Sequence, residues 1–408
     1  MANIHPFQPY RYTAAAGPTE RLVTQPYDKI SPEMQARYLA QSPYNLVRII
    51  LGERFASDDE TSNVYTRAAA YFQDWIQNGI LARDGEPAFF AYSQSFHLPN
   101  SDEQLTRNGF IGLGPVEEYA AGIVHRHEQT LSGPKKDRTE LLNHTHAHFG
   151  QLFMLYADSE FTVDRILDEV SRCEPLAAVT DEYGTVHRLW RIADAGTIAA
   201  IQNAIADKKL LIADGHHRYE TALAFRRANP QLKDAKRVMM TFVNMRSPGL
   251  KILATHRLVS GLVGFEADEF LSKVPVRALA SLTELEEIFA IPAPERIRIG
   301  IAISGGREIY LFDRERQPGE LDVRVLHEEL LAGVLQIDEQ AVREEKHLRY
   351  VRGMEAALRA EAQIAFLLEP TTMEQVAEVA FGGGVMPQKS TDFYPKLLSG
   401  LTIYKLES

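Results

Sequence analysis

The feature that most constrains the fold of this chain is a short apolar run that turns sharply into a helix. This helix has two histidines and an arginine at its start. Leu210–Ala213 is short enough to be a buried strand, and Asp214 and Gly215 supply the turn. After the turn, Tyr219 and Leu223 recur at the spacing of a helix. The segment therefore predicts a strand, a tight turn and a helix whose N-terminus faces the turn.

The first turn of this predicted helix suits a phosphate group. Unpaired backbone N–H groups and the positive end of the helix dipole point toward the turn. Arg218 can contact phosphate oxygens with two N–H groups, while Asp214 can hold a magnesium ion or simply cap the helix. His216 and His217 beside Arg218 are unfavourable at the positive dipole end unless an anion joins them. We predict that Gly215 and these side chains bind phosphate, with a purely capping Asp214 as the alternative.

The size and charge of the chain narrow the class of protein. A chain of 408 residues with 45% hydrophobic content can bury sizeable cores and is expected to form two or three domains. The net charge of −11 argues against general binding to nucleic acid or membrane surfaces, because phosphate backbones are held mainly by excess lysine and arginine. The single cysteine, Cys173, cannot form an internal disulfide, and the N-terminus has no apolar signal core. We predict a cytoplasmic protein without nucleic-acid or membrane partners, and the sequence leaves a homodimer open.

The order of apolar patterns predicts an α+β chain with mixed sheets. The predicted helices cover 62–81, 197–206 and 266–273, and the predicted strands cover 88–96, 110–115, 151–156, 238–243, 298–303, 308–312 and 400–406. The pattern of apolar and polar residues changes after residue 115, and the alternation of predicted helices and strands resumes beyond about residue 260. We therefore divide the chain into an N-terminal α+β domain over 1–115, a phosphate-binding core over 116–260 and a C-terminal α+β domain over 261–408.

A second candidate site lies at 125–130, where a carboxylate stands among histidines and an arginine. Phosphoryl transfer to an alcohol needs a carboxylate that orients the hydroxyl and accepts its proton, together with cations on the transferring group. Glu128 is the residue that we predict as this base. The alternative is a solvated Glu128 paired to Arg126.

Clustered histidines raise the hypothesis of a metal site. Their alternation can place imidazoles on one side of an extended segment and bind zinc, but no fixed ligand spacing is present, and a helix would point them several ways. The histidines concerned are His125, His127, His144, His146 and His148. Farther along, His327 and Glu328 lack the second histidine of the zinc-protease pattern, so we predict ordinary helix surface there.

A glycine-rich stretch over 382–391 has some features of a phosphate-binding P-loop. It departs from the pattern because Gln388 replaces the glycine before Lys389. Lys389, Ser390 and Thr391 can still reach a phosphate or a carboxylate, and we treat them as a secondary site. The alternative is a tight connection before the closing strand.

Five segments together resemble the family known as domain of unknown function 1015. The resemblance runs over nearly the whole chain and rests on Pro26–Ser31, His127–Glu128, Lys135–Arg138, Ala213–Ala222 and Met386–Thr391. The Asp-Gly-His-His-Arg portion is also similar to the phosphate-binding turn of the ParB and sulfiredoxin-like superfamily. Free serine kinases of that superfamily place such a turn opposite a catalytic glutamate on an earlier His-Glu segment.

This resemblance implies a central ParB/sulfiredoxin-like nucleotide-binding domain between flanking α/β regions. It implies that Glu128 is the base, that Asp214 assists the base or a metal ion, and that His216, His217 and Arg218 hold phosphates. The implied activity is a magnesium-assisted kinase that transfers a phosphoryl group from ATP or ADP to free L-serine and forms O-phospho-L-serine. Two other hypotheses stay open: a ParB-like nucleotide-binding switch without transfer, and a metal-dependent hydrolase.

Overall fold

The computed structural model describes residues 2–99, 101–129, 132–303 and 305–407, with the backbone alone for 132–134. The chain groups into two compact units. The first unit comprises Met1–Arg126, Thr130–Lys251 and Pro395–Ser408. The second unit comprises His127–Gln129 and Ile252–Tyr394.

Strands and helices alternate along the chain. In chain order, the strands are β1 (Tyr10–Tyr12), β2 (Leu81–Arg83), β3 (Phe89–His97), β4 (Gln104–Pro115), β5 (Val124–His125), β6 (Ala147–His148), β7 (Leu152–Tyr156), β8 (Ala177–Thr180), β9 (Val186–Ile192), β10 (Leu210–Asp214), β11 (Arg237–Asn244), β12 (Lys251–Leu253), β13 (Thr255–Val259), β14 (Val276–Leu279), β15 (Arg296–Ile303), β16 (Glu308–Glu315), β17 (Leu348–Arg352), β18 (Ile364–Leu368), β19 (Asp392–Tyr394) and β20 (Tyr404–Lys405). The α-helices are α1 (Pro32–Gln41), α2 (Val47–Ile50), α3 (Val64–Gln77), α4 (Ser132–Thr145), α5 (Thr162–Val170), α6 (Ala195–Ile205), α7 (His216–Ala228), α8 (Ala267–Ser272), α9 (Leu282–Ala290), α10 (Asp322–Val325), α11 (Glu339–Arg343), α12 (Met354–Arg359) and α13 (Met373–Phe381). Shorter 3₁₀ turns cover Ala14–Ala16, Thr19–Arg21, Tyr27–Lys29, Tyr119–Ala121 and Lys233–Lys236, and a π-helix covers Leu326–Val334. Within the described residues, no helix combines the length and the apolarity that a membrane crossing requires.

An eight-stranded mixed sheet forms the centre of the first unit. Its strand order is β5-β10-β7-β11-β4-β3-β9-β8. Strand β10 pairs in parallel with β5 and antiparallel with β7. The apolar residues of β10 are buried, as expected for a strand covered on both faces, and Tyr219 and Leu223 of α7 belong to the same core. This packing fixes the strand, the turn and the start of α7 as one rigid piece.

The second unit contains its own sheet and core. Six strands pair antiparallel in the order β14-β16-β15-β18-β13-β17. Leu258, Leu285, Leu311 and Leu367 belong to the hydrophobic cluster of this unit. Each unit therefore has the separate core that an independent folding unit needs.

The predicted α+β class with mixed sheets is confirmed. The helix predicted over 62–81 is α3, which begins after a capping box at Asn63. Strand β4 begins before the predicted start at residue 110, because it continues to pair with β3 as far as Gln104. The closing strand predicted over 400–406 is reduced to β20, because Gly400 takes a φ of 103° and breaks the extended run.

The two compact units differ from the three predicted segments. The eight-stranded sheet takes β3 and β4 from before residue 115 and β7, β10 and β11 from after it. A boundary at 115 therefore falls inside one sheet. The last residues, from Pro395 onward, belong to the first unit rather than to a C-terminal one.

Candidate functional site

The strand, turn and helix predicted around Gly215 are present in the first unit. Strand β10 ends at Asp214, and the 13-residue helix α7 begins at His216. Gly215 has a φ of 98°, and a Cβ added there would come within 2.8 Å of Leu152 Cδ2 and 3.1 Å of Arg218 Cζ. Both the left-handed backbone and the lack of space require glycine. The turn thus brings the backbone of Gly215 close to the Arg218 guanidinium.

Asp214 lies between two cations rather than over the helix end. Its Oδ2 is 3.0 Å from Lys396 Nζ, and its Oδ1 is 3.6 Å from Arg218 Nη2. The N-cap residue of α7 is Gly215, and no side chain caps this helix. The alternative in which Asp214 merely caps α7 is therefore wrong, because the carboxylate is turned toward Lys396 and Arg218.

The charges around Asp214 make this carboxylate unusually acidic. Burial alone would raise its pKa, but Lys396, Arg218 and Lys29 together bring the pKa of Asp214 well below its ordinary value. Arg107 also interacts electrostatically with Asp214. The cations at this turn thus outnumber the carboxylate that they share, as in a site that receives an anion.

A buried arginine and a glutamine hold the backbone that carries Lys396. Arg107 is 1% exposed, and its Nε donates to Gln94 Oε1 at 3.1 Å while its Nη2 donates to Pro395 O at 2.5 Å. Gln94 Nε2 donates to Lys396 O at 2.8 Å. Burial lowers the pKa of Arg107 to about 9, so its guanidinium stays charged at neutral pH. We call Arg107 and its bonds to this backbone the Arg107 clamp. The clamp fixes the position of the Lys396 ammonium beside Asp214.

The remaining predicted residues of the turn differ in accessibility. Arg218 Nη1 donates to Gln151 O, and the Arg218 side chain is 16% exposed. His216 is 6% exposed, whereas His217 is half-buried. Arg218 and His217 are therefore the predicted side chains that a ligand can reach most readily, and His216 packs inside the unit.

The second unit brings together the two other predicted groups. Lys389 N donates to Glu128 Oε1 at 2.7 Å across 261 residues of sequence. Met386 N donates to His127 O at 2.7 Å, and His127 Nε2 lies 2.8 Å from Thr391 Oγ1. The short segment around Glu128 and the loop before β19 thus form one hydrogen-bonded layer in this unit.

Arg257 holds the Lys389 loop from inside the second unit. The Arg257 side chain is 1% exposed, and its Nη2 donates to Lys389 O at 3.1 Å. Its Cζ lies 5.5 Å from the centre of the Tyr350 ring, and burial lowers the pKa of Arg257 to about 10. Lys389 itself has a φ of 58°, a left-handed conformation that costs energy in a residue other than glycine. The loop is thereby held with its backbone N–H toward Glu128.

The predicted hydroxyl groups of this loop make contacts within the second unit. Ser390 Oγ donates to Pro387 O at 2.6 Å, and Thr391 contacts His127 as described above. Arg126, which the alternative interpretation pairs with Glu128, instead lies 3.3 Å from Glu220 Oε1. Each of the two side chains therefore has another partner, and the Glu128–Arg126 pair stays a prediction.

The clustered histidines contact backbone and aromatic groups. His125 Nε2 lies 3.1 Å from Gly122 O, and His144 Nδ1 lies 2.8 Å from Glu140 O. His146 packs edge-on against Phe225, and His148 stacks on Tyr404. Among the described residues, no group of three or more His, Cys, Asp or Glu side chains is arranged to hold a metal ion.

His327 departs from the predicted helix surface. It lies on the π-helix, and burial lowers its pKa to about 3. Its neighbour Glu328 is exposed, as predicted. The His327 ring departs from the prediction, since its Nε2 is buried although the residue as a whole is half-buried, and the sequence does not reveal the π-helix on which it lies.

Sequence reasoning missed three cations of the Asp214 cluster. Arg107 carried no signal, because it lies in a mostly polar run over 101–108, ahead of the apolar residues that begin at Phe110. Lys29 lies in a segment used for the family resemblance, but no role was assigned to it. Lys396 carried no signal, because it reaches Asp214 across 182 positions of the chain.

Comparison with known proteins gives a family and distant structural likenesses. No curated protein matches the sequence. A conserved hypothetical protein from Pyrococcus furiosus is 14% identical, with 69% of this chain and 92% of that chain covered and a TM-score of 0.36. A free serine kinase in complex with AMP is 14% identical, with coverages of 70% and 88% and a TM-score of 0.39. SbnI with a C-terminal truncation, from Staphylococcus aureus, is 12% identical, with coverages of 72% and 87% and a TM-score of 0.38.

These TM-scores are too low for an activity to be carried over to this chain. The family match is of a different kind, because it spans most of the sequence. The family described as "Protein of unknown function (DUF1015)" matches residues 4–332 of the 408. The family predicted from the sequence motifs is confirmed, and this chain belongs to the DUF1015 family.

Proposed function

We propose that this protein is a phosphotransferase that moves a phosphoryl group from ATP or ADP to the hydroxyl of free L-serine, forming O-phospho-L-serine. The observation that carries the proposal is the cation cluster at the Asp214 turn. Lys396, Arg218 and Lys29 lower the pKa of Asp214, at the N-terminus of a long helix. A chain of phosphates is an anion that satisfies both the helix N-terminus and several cations at once.

In this proposal, the turn holds the nucleotide phosphates. The backbone N–H groups at the start of α7 face the turn, and His217 and Arg218 are the reachable side chains of the predicted set. Arg218 and Lys396 already pair with one carboxylate, so they are oriented before the phosphates arrive. Such preorganised cations stabilise the charge that develops on a transferring phosphoryl group.

The transfer step needs a base for the acceptor hydroxyl. The hydroxyl oxygen of serine bonds to the terminal phosphorus, the bond from that phosphorus to the nucleotide oxygen breaks, and the hydroxyl proton passes to a carboxylate. By the resemblance to free serine kinases, this carboxylate is Glu128. The Lys389 N–H holds one of its oxygens, and this bond limits the rotation of the carboxylate.

Magnesium was predicted at Asp214, and the described residues do not fit an ion held there. Both Asp214 oxygens face cations, so a divalent ion would have to displace Lys396 from Oδ2. The proposal therefore assigns the charge neutralisation to Arg218, Lys396 and their neighbours, with any magnesium arriving on the nucleotide.

The test is the formation of O-phosphoserine by the full chain from L-serine with ATP, ADP or pyrophosphate, followed by ³¹P NMR and mass spectrometry. Glu128→Gln is expected to keep nucleotide affinity and to lower the transfer rate roughly 100-fold or more, because it removes the proton acceptor. Arg218→Gln is expected to weaken nucleotide binding. Glu355→Gln, on the exposed side of α12, serves as the matched control and leaves both unchanged.

Two results would contradict the proposal. A preparation that binds nucleotide but forms no phosphoserine with any of the three donors supports the ParB-like switch without transfer. An unchanged transfer rate in Glu128→Gln removes Glu128 as the base.

A further inference from the structure

A cavity of about 60 Å³ lies inside the first unit beside Arg218. It opens between the 3₁₀ turn at Tyr27–Lys29, helix α4, helix α7 and the segment after Pro395. Its polar lining consists of Tyr27, Arg138, His148, Arg218, Thr221 and Ser399, and most of the rest is apolar. The cavity therefore shares Arg218 with the Asp214 turn, and Asp214 itself is not among its lining residues.

Thr221 is the clearest sign that this cavity receives a ligand. The residue is 3% exposed, it lines the cavity, and its Oγ1 has no hydrogen-bond partner within the described part of the chain. Buried polar atoms in native structures are nearly always hydrogen-bonded. The hydroxyl is therefore placed to hydrogen-bond a polar atom of a ligand in the cavity.

The charges of the lining select an anion. Burial raises the pKa of Tyr27 to about 12, so its hydroxyl is a donor, and burial lowers the pKa of His148 to about 4, so its ring is neutral. Arg138 is paired with Asp137, whereas Arg218 shares Asp214 with Lys396, so Arg218 is the main source of positive charge for the cavity. Among the described lining residues there is no Asp or Glu. A single cation that is already shared with a carboxylate suits a monoanion better than a dianionic phosphate.

The size of the cavity suits a small group. An apolar cavity of roughly 150 Å³ holds one benzene molecule, and 60 Å³ is well below that volume. A carboxylate with its α-carbon does fit. Gly150 lies at the rim, where an added Cβ would come within 3.2 Å of Arg218 Nη1 and 3.4 Å of Ser399 Oγ.

We infer that this cavity binds the carboxylate of the amino-acid acceptor, with Arg218 and the Thr221 hydroxyl as its partners. The ammonium group stays outside, because the described lining offers it no carboxylate. This inference rests on the proposed function, since it names the place where the acceptor of that reaction is recognised.

Calorimetric titration of the full chain with L-serine, with and without AMP, tests the inference. The wild type is expected to bind L-serine and glycine, and to bind ethanolamine, which lacks the carboxylate, much more weakly. Thr221→Val keeps the shape but removes the hydroxyl, and it is expected to weaken L-serine binding about tenfold with nucleotide affinity unchanged. Gly150→Ala fills the rim and should weaken L-serine binding without removing any hydrogen bond.

Thr185→Val is the matched control. Thr185 is also fully buried with an Oγ1 that lacks a partner in the described chain, but it does not line the cavity. It should leave L-serine binding unchanged. Weakened binding in Thr221→Val without any phosphoserine formation supports the cavity and contradicts the proposed function. The inference is overturned if Thr221→Val and Gly150→Ala both bind L-serine with unchanged affinity. It is also overturned if the wild type binds ethanolamine with the same affinity as L-serine, or binds no small carboxylate. Each of these outcomes counts against the cavity even where phosphoserine forms.

Discussion

Two buried arginines, one in each unit, do similar structural work with different consequences. Arg107 and Arg257 are each 1% exposed, each lies over an aromatic ring, and each donates to backbone carbonyls of a distant loop. Arg107 holds Pro395 and so places the Lys396 ammonium beside Asp214. Arg257 holds Lys389 and so places a backbone N–H on Glu128.

The difference lies in what each clamp delivers. The Arg107 clamp places the Lys396 ammonium at a turn that already contains other cations, so it strengthens the positive electrostatic field that attracts an anion. The Arg257 clamp places the neutral backbone N–H of Lys389, so it only orients the Glu128 carboxylate. Arg107 also uses its Nε on Gln94, whereas the Nε of Arg257 has no partner in the described part of the chain. We therefore expect the first unit to depend more on its clamp.

Replacing each clamp arginine by methionine gives the largest expected effects. Arg107→Met leaves buried acceptors on Gln94 and Pro395 unpaired, and we expect a loss of about 3 kcal/mol in the free energy of unfolding. Arg257→Met should cost less, about 2 kcal/mol, because the substitution also removes a buried Nε that has no partner in the described part of the chain. Urea denaturation followed by circular dichroism measures both losses.

Ligand binding separates the two clamps further. Arg107→Met is expected to weaken nucleotide binding, because Lys396 is released, while Arg257→Met should retain nucleotide binding and slow phosphoryl transfer. Arg359→Met, whose side chain is 80% exposed, is the control with little effect on either. Equal loss of nucleotide affinity in both clamp variants would remove the distinction between them.

Alanine substitutions at two glycines test whether the turn of the first unit depends on space as well as on φ. Gly215 and Gly184 both have positive φ, but only at Gly215 does an added Cβ meet other atoms within 4 Å. Gly184→Ala is expected to cost about 1 kcal/mol through backbone strain alone. Gly215→Ala should cost about 2 kcal/mol or more and weaken nucleotide binding, because Leu152 and Arg218 must move. Equal stability losses and intact nucleotide binding would show that the turn tolerates the extra atom.

The acidity of Asp214 predicts a pH dependence of stability for the first unit. Its pKa in the folded protein is lowered, so its ion pairs stabilise the fold above the unfolded pKa of about 4 and are lost as the pH falls further. Asp214→Asn should cost about 1 kcal/mol at pH 7, and the stability gap to the wild type should narrow progressively as the pH falls below about 4. Asp207→Asn, at an exposed site, is the control. A gap that stays constant on acidification would mean that the ion pairs contribute little.

Local sequence patterns predicted the turn of the first unit, but they did not predict the two arginine clamps. The strand, the Gly215 turn and helix α7 follow from residues within 20 positions, so spacing and turn chemistry suffice to find them. The clamps were missed because their partners are backbone carbonyls, 288 residues away for Arg107 and 132 for Arg257. A carbonyl is present at every residue and leaves no mark in a sequence. The Glu128–Lys389 bond was missed for the same reason, although both residues were predicted as site residues.

Substitutions of Lys389 have the smallest expected effect on stability. They test whether Lys389 acts through its side chain or through its backbone N–H. Lys389 has a φ of 58°, and its N–H, rather than its ammonium, contacts Glu128 in the structure. Lys389→Gly relieves the left-handed strain and keeps the N–H, so the free energy of unfolding should change by less than about 1 kcal/mol, with transfer retained. Lys389→Ala keeps the N–H, loses the same ammonium and retains the strain, so it is the matched comparison. If both variants lose nucleotide affinity together, the ammonium binds phosphate as the sequence suggested, and the second unit then contributes charge as the first does.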